Sequence, residues 1–244
     1  DADRLARKVE KLSRTANPRR RRNPQSDLVY VRILGLAQKE GWLGDADLVG
    51  AEIEKQIPGY KPPIWEKSGS AIKVLGLALE THRRGGRTIN LRLSKELEEK
   101  AMASRRGPVS FLQNQVRETL RRTFADDAPE FWCVLERDSR DRLHLHGAYV
   151  HEHHIDYHLI DAALGRAGRW EPPLGKGLPQ ESKPLTEPFG WVSYILKHTN
   201  YLAMGIARKL FAATAGLRSD VVGRWPKVRS TLPSSASRVR KAKS

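Results

Sequence analysis

The sequence predicts an α+β fold: an antiparallel sheet with flanking helices, preceded by a small helical unit. Three observations predict it. From Arg87 the hydrophobic period switches in the order strand, helices, strand, strand, helix, short strand, helix, which suits a sheet layered with helices. The stretch EFWCVLERDSRDRLHLHGAYV, 130–150, sets two runs rich in aromatic and β-branched residues around the polar turn Asp138-Ser139-Arg140-Asp141, a hairpin pattern. Upstream, residues 27–82 carry apolar side chains at helical rather than alternating spacing.

The elements follow in order. Residues 1–26 form a basic arm: a charged helical pattern (Leu5, Val9, Leu12) that breaks at Asn17-Pro18 and runs through Arg19, Arg20, Arg21 and Arg22. Such a run is a solvated arm, and it also suits a phosphate backbone. Residues 27–86 are predicted as a helical region. SDLVYVRILGLAQKEGWL, DADLVGAEIEKQI (stopped by Pro58-Gly59) and SGSAIKVLGLALETHRRGG (capped by Ser68 or Ser70, stopped by Gly85-Gly86) give three short helices. They suit either a helix-turn-helix reader of duplex DNA or packing for the next domain.

In 87–216, RTINLRLS sets Ile89, Leu91 and Leu93 against Asn90 and Arg92, a half-buried strand. Helices follow at 95–104 and at PVSFLQNQVRETLRRTF, with Pro108 at the first helical position. After the hairpin, IDYHLIDAALGRAG is amphipathic, 169–186 is a loop with one short edge strand near 179–185, and TEPFGWVSYILKHTNYLAMG is a helix. Residues 217–244 read as a basic tail, disordered from Pro233.

Lys and Arg number 44 against 28 Asp and Glu, a net charge of +16. A surplus of this size predicts a polyanionic partner, nucleic acid above all. There is no run of about 18 apolar residues to span a bilayer and no N-terminal hydrophobic signal, so the expected setting is cytoplasmic, bacterial or nucleoid-associated, with no membrane partner. The single cysteine, Cys133, excludes an intrachain disulfide framework and a Cys-rich zinc site. No P-loop is present, so the chain carries no helicase motor of that type.

The chemistry concentrates in the hairpin. In DRLHLHGAYV, 141–150, His144 and His146 are two apart and point to one face of a strand, while Leu143 and Leu145 point to the other. If the turn centres on Arg140, Glu136 lies directly across from His144 and diagonal to His146. Direct pairs sit about 5 Å apart and diagonal ones about 7–8 Å. One carboxylate and two imidazoles on one face leave positions open on a divalent ion, as a catalytic metal requires. HEHHIDYH, 151–158, adds His151, His153, His154 and His158, but without zinc-protease spacing or an obvious third ligand; it reads as a solvated strand end and helix start. In WVSYILKHTN, Tyr194 and Lys197 are three apart, on one face of a helix.

This combination resembles the HUH endonuclease superfamily, which includes rolling-circle replication initiators, relaxases and some transposases. The family's His-hydrophobic-His strand is matched by His144-Leu145-His146, its Tyr-x-x-Lys helix by Tyr194-Ile195-Leu196-Lys197, and the upstream glutamate of the viral-type initiators by Glu136. The resemblance spans roughly 87–205 and makes 87–216 the endonuclease domain, with a ferredoxin-like or RRM-like core. Two-tyrosine members carry a second tyrosine four residues on, where this chain has His198, so a single-tyrosine enzyme is expected; Tyr201 reads as packing and His198 as a DNA contact.

The resemblance implies a metal-dependent nick of single-stranded DNA by Tyr194, leaving a 5′-phosphotyrosine link and a free 3′-hydroxyl. Tyrosine ionises near pH 10, so a cation such as Lys197, or the metal, is needed to favour the phenolate. Glu136, His144 and His146 would hold Mg²⁺ or Mn²⁺, with Mn²⁺ favoured by the His ligands. Arg19 to Arg22 and Arg92 are the expected DNA contacts. Expected partners are single-stranded DNA, origin-region duplex DNA, and a host helicase and polymerase, for replication of a plasmid, phage or mobile element. The rival readings are a non-catalytic basic DNA-binding protein, such as a repressor or origin binder with a decayed nuclease domain, and an RNA-binding protein, for which no recognition signature is found.

Overall fold

A computed structural model describes residues 24–137, 142–151, 155–169, 180–197 and 211–235. The chain divides into two compact units, one of Asp1–Gly76, Phe189–Tyr194 and Arg224–Ser244, the other of Leu77–Pro188 and Ile195–Gly223.

The second unit is built on a five-stranded antiparallel sheet. Its strands are β1 (Arg87–Arg92), β2 (Glu130–Arg137), β3 (Leu143–Val150), β4 (Gln180–Glu181) and β5 (Phe211–Ala213), in the spatial order β4-β1-β3-β2-β5. The first four strands, with their connecting helices, make the split β-α-β-β-α-β arrangement of a ferredoxin-like core. The expected α+β class is therefore observed, including the short edge strand near residue 180.

Three helices of this unit follow from local signals. Ser94 caps α4 (Lys95–Ala103) by accepting from the Leu97 amide at 3.2 Å. Pro108 opens α5 (Pro108–Phe124) just after Gly107, whose φ of 79° suits glycine. Asp156 caps α6 (Tyr157–Gly168), accepting from the His158 amide at 2.9 Å.

Their apolar stripes cover one sheet face. Leu97, Leu112, Val116, Leu120, Ile160 and Leu164 join Ile89, Leu91, Leu135, Leu143 and Leu145 in one buried cluster. Leu91, Leu145 and Leu135 pair directly across three strands. Each buried leucine contributes about 1.5–3 kcal/mol. Because a one-residue slip would exchange the faces, burying the leucines commits the alternating histidines to the opposite side.

The first unit holds α1 (Pro24–Lys39), α2 (Ala46–Gln56), a 3₁₀ turn (Trp65–Lys67) and the start of α3 (Ser70–Arg83), with most of α7 (Pro188–Ile195) and the end of α8 (Ala215–Thr231). Asp27, 1% exposed, accepts from the Tyr60 hydroxyl at 2.6 Å and from the Gly69 amide at 2.8 Å, tying α1 to the start of α3. Trp225 donates its indole N–H to the Pro63 carbonyl at 2.7 Å. α2 carries Asp47, Glu52 and Glu54 against a single cation, Lys55. That balance repels phosphate, so this helix fits the packing role better than a DNA-reading one.

Two expectations are corrected. Residues 217–231, read from the sequence as tail, belong to α8, where Leu217, Val221 and Trp225 are buried four residues apart. The helix expected to run through 186–205 is α7 and ends at Ile195, so Lys197 lies in the turn beyond it rather than on the same helix as Tyr194. Among the described residues no helix is long and apolar enough to cross a membrane.

Candidate functional site

The β2–β3 ladder pairs Glu130 with Val150 through to Arg137 with Leu143, symmetric about position 140. Glu136 therefore lies directly opposite His144, the register expected from the sequence. On its other side β3 pairs with β1, which sets Arg92 beside His144 and Asn90 beside His146. One sheet face thus presents two rows: Arg92–His144–Glu136, and Asn90–His146–Val134.

Gly147 permits this close pairing. A Cβ there would fall 2.0 Å from the Trp132 carbonyl oxygen and 2.9 Å from Cys133 Cα, so β2 approaches β3 where any side chain would block it. Trp132 is held in turn by a buried hydrogen bond of 3.0 Å from its indole N–H to the Thr81 hydroxyl.

The site grades from inside to outside. Glu136 and His146 are each 5% exposed, His144 is half-buried and Arg92 is exposed. Glu136 Oε2 and His146 Nε2 lie 2.8 Å apart. The His144 and His146 rings stack at 6.1 Å between centroids, inclined by 25°.

These donors fit a hard divalent ion in chemistry and, for two of the three, in placement. Neighbouring ligands of an octahedral ion with bonds of about 2.1 Å stand roughly 3 Å apart, close to the Glu136–His146 separation. Among the described residues no group of three His, Cys, Asp or Glu is gathered closely enough to hold an ion as it stands.

Tyr194 lies in the last turn of α7 and is 47% exposed. Its ring stacks on Trp191, one turn earlier, with centroids 5.7 Å apart and planes inclined by 13°. α7 seats closely on α1: a Cβ on Gly35 would come 2.5 Å from Ser193 Cβ, and the Gly190 amide donates to Gln38 Oε1 at 2.9 Å. Lys197 is exposed two residues past the helix end, where a cation is favoured by the helix dipole.

Two other tyrosines near the histidine strand have different surroundings. Tyr149 is fully buried on the helix-covered face, and desolvation pushes its hydroxyl well above the usual range. Tyr157 lies under the Arg87 guanidinium at 3.8 Å. His151 and His158 face aromatic rings, Tyr149 at 5.8 Å and Tyr157 at 4.0 Å respectively. Arg19, Arg20, Arg21, Arg22, His153, His154, His198 and Tyr201 lie outside the described residues.

Asn90 lies on the histidine face and Trp191 stacks on Tyr194, although the sequence did not single either out. Asn90 shares the alternation that exposes Arg92, but its place beside His146 depends on a pairing 56 residues apart in sequence. Trp191 was legible in the Trp-x-x-Tyr spacing that one helical turn brings together.

Residues 1–23 hold nine Lys and Arg against three Asp and Glu, and residues 236–244 hold four against none, so most of the surplus charge lies in the terminal stretches. No protein-family model, curated protein or solved structure matches the chain.

Proposed function

We propose that the chain is a metal-dependent endonuclease that nicks origin-type single-stranded DNA with Tyr194 and thereby initiates rolling-circle replication of a plasmid, phage or mobile element. The observation that carries this reading is the row Arg92–His144–Glu136, with the Glu136 carboxylate 2.8 Å from the His146 imidazole on the same sheet face. Glu136, His146 and His144 would hold one Mg²⁺ or Mn²⁺, which when bound would polarise the scissile phosphate and offset transition-state charge.

The chain's own groups do the rest. Arg92 presents a planar fork of donors that suits the non-bridging phosphate oxygens. The Tyr194 oxygen attacks phosphorus and loses its proton; the P–O3′ bond breaks, and the 3′-oxygen takes up a proton. One phosphodiester is exchanged for another, so the 5′-phosphotyrosine link retains the bond energy for rejoining. Lys197 supplies positive charge three residues from the nucleophile in sequence, suited to a phosphate oxygen. The basic termini draw the strand in, and strand separation and synthesis fall to a separate helicase and polymerase.

Incubating the protein with single-stranded origin-region DNA and Mn²⁺ should yield a covalent adduct that survives denaturing electrophoresis. Tyr194→Phe should abolish the adduct while retaining DNA binding, and Tyr201→Phe should leave most of it. An adduct that persists in Tyr194→Phe refutes the assignment. A net charge of +16 also suits a second reading, a basic DNA-binding protein without catalysis. DNA binding with no adduct under any divalent ion would establish that one.

A further inference from the structure

Trp191 and Tyr194 share the outer side of α7. Their neighbours Val192 and Ile195 are fully buried, whereas Tyr194 is 47% exposed and Trp191 half-buried. Tyrosines recruited into cores in this chain, Tyr30 and Tyr149, are completely covered, so Tyr194 is not one of them. The two ring planes differ by only 13°, which aligns their π faces. The helix that carries them is fixed to α1 by the Gly35–Ser193 approach and the Gly190–Gln38 hydrogen bond, so the rings are held on a firm support.

Two near-parallel aromatic rings, one exposed and one half-buried, on a chain of net charge +16 match the chemistry of an unpaired nucleobase. The base offers a flat apolar face, and its phosphate is drawn by cations. Duplex bases are already stacked on one another, so such a surface discriminates for unpaired strand.

We propose that Trp191 and Tyr194 form a stacking platform for an unpaired base of single-stranded DNA. The inference rests on the nuclease reading of Tyr194: the base next to the scissile phosphate docks on Trp191 and brings that phosphate to the Tyr194 hydroxyl. Trp191 is then a positioning residue that also restricts cleavage to unpaired strand.

The test is made in the full-length Tyr194→Phe protein, which keeps the ring and lacks the nucleophile, so that binding is measured alone. The probes are fluorescently labelled oligo(dT) and an abasic oligomer of equal length, which carry the same charge but differ in having bases. Adding Trp191→Ala should weaken oligo(dT) binding on the order of 5- to 150-fold and leave the abasic oligomer unchanged. Trp191→Leu keeps apolar cover on the helix and guards against misfolding; it should behave as Trp191→Ala does, whereas Trp191→Phe should retain most of the affinity. Equal losses on both probes, or no loss on oligo(dT), overturn the platform, as does a parent protein that binds neither.

The two readings separate cleanly. Trp191-dependent base binding without any adduct in the wild type keeps the platform and removes the nuclease. Adduct formation by Trp191→Leu at the wild-type rate and KM keeps the nuclease and removes the platform.

Discussion

Divalent metal should stabilise the folded protein, and Glu136→Gln should remove the effect. Glu136 Oε2 and His146 Nε2 are 2.8 Å apart and each residue is 5% exposed, a preformed pair of candidate ligands that the unfolded chain lacks. A ligand that binds only the folded state stabilises it by about 2.7 kcal/mol at a free concentration of about 100 times Kd. For a chain of this size each kcal/mol raises Tm by about 2–4 °C, so saturating Mn²⁺ should raise it by roughly 5–11 °C. The glutamine has nearly the same size and shape, so the metal-free fold should persist. It lacks the anionic charge that a hard ion needs, so the shift should collapse to near zero. Thermal melts followed by circular dichroism, with MnCl₂ and again after excess EDTA, measure both. A wild-type Tm indifferent to Mn²⁺, or an equal shift in Glu136→Gln, would refute the reasoning.

Two further outcomes follow from the packing. Gly147→Ala should destabilise the protein by about 1–3 kcal/mol or more, because its Cβ would fall 2.0 Å from the Trp132 carbonyl oxygen and only separation of β2 from β3 relieves the clash; an unchanged urea midpoint would contradict that close approach. Burial raises the hydroxyl pKa of Tyr149 above the usual value near 10, and the fold therefore favours the protonated phenol. The unfolded chain releases this proton first as pH rises past about 10, so stability present below that pH should be lost above it. Tyr149→Phe should flatten the alkaline slope of the urea midpoint, with Tyr30, raised by the same desolvation, accounting for part of what remains. An identical slope in the variant would show that Tyr149 does not drive it.

The local sequence determined the face and register of the site. Period-two alternation sends His144 and His146 to one side and Leu143 and Leu145 to the other, and the polar turn around Arg140 sets Glu136 opposite His144. The same local signals mark the helices: the Ser94 and Asp156 caps, Pro108 at the start of α5, and their apolar stripes. α8 was harder to read. Leu217, Val221 and Trp225 recur at helical spacing, but Gly216, Gly223, Pro226 and the surrounding cations resemble a tail until burial selects the helix.

Only the tertiary structure decided what lies beside the hairpin. Which strand flanks β3 is a long-range pairing, so the addition of Arg92 and Asn90 to the histidine face could not be read from residues near 144. β5 is three residues long and joins β2 about 80 residues away, too short to signal itself. The exposure of Trp191 and Tyr194 was settled by which side of α7 is buried, with Val192 and Ile195 inward and the two stacked rings outward. Alternation and turns are properties of neighbours in the chain and survive in the sequence as patterns. Sheet order and helix cover arise from contacts between distant segments, whose energy depends on the whole core being assembled.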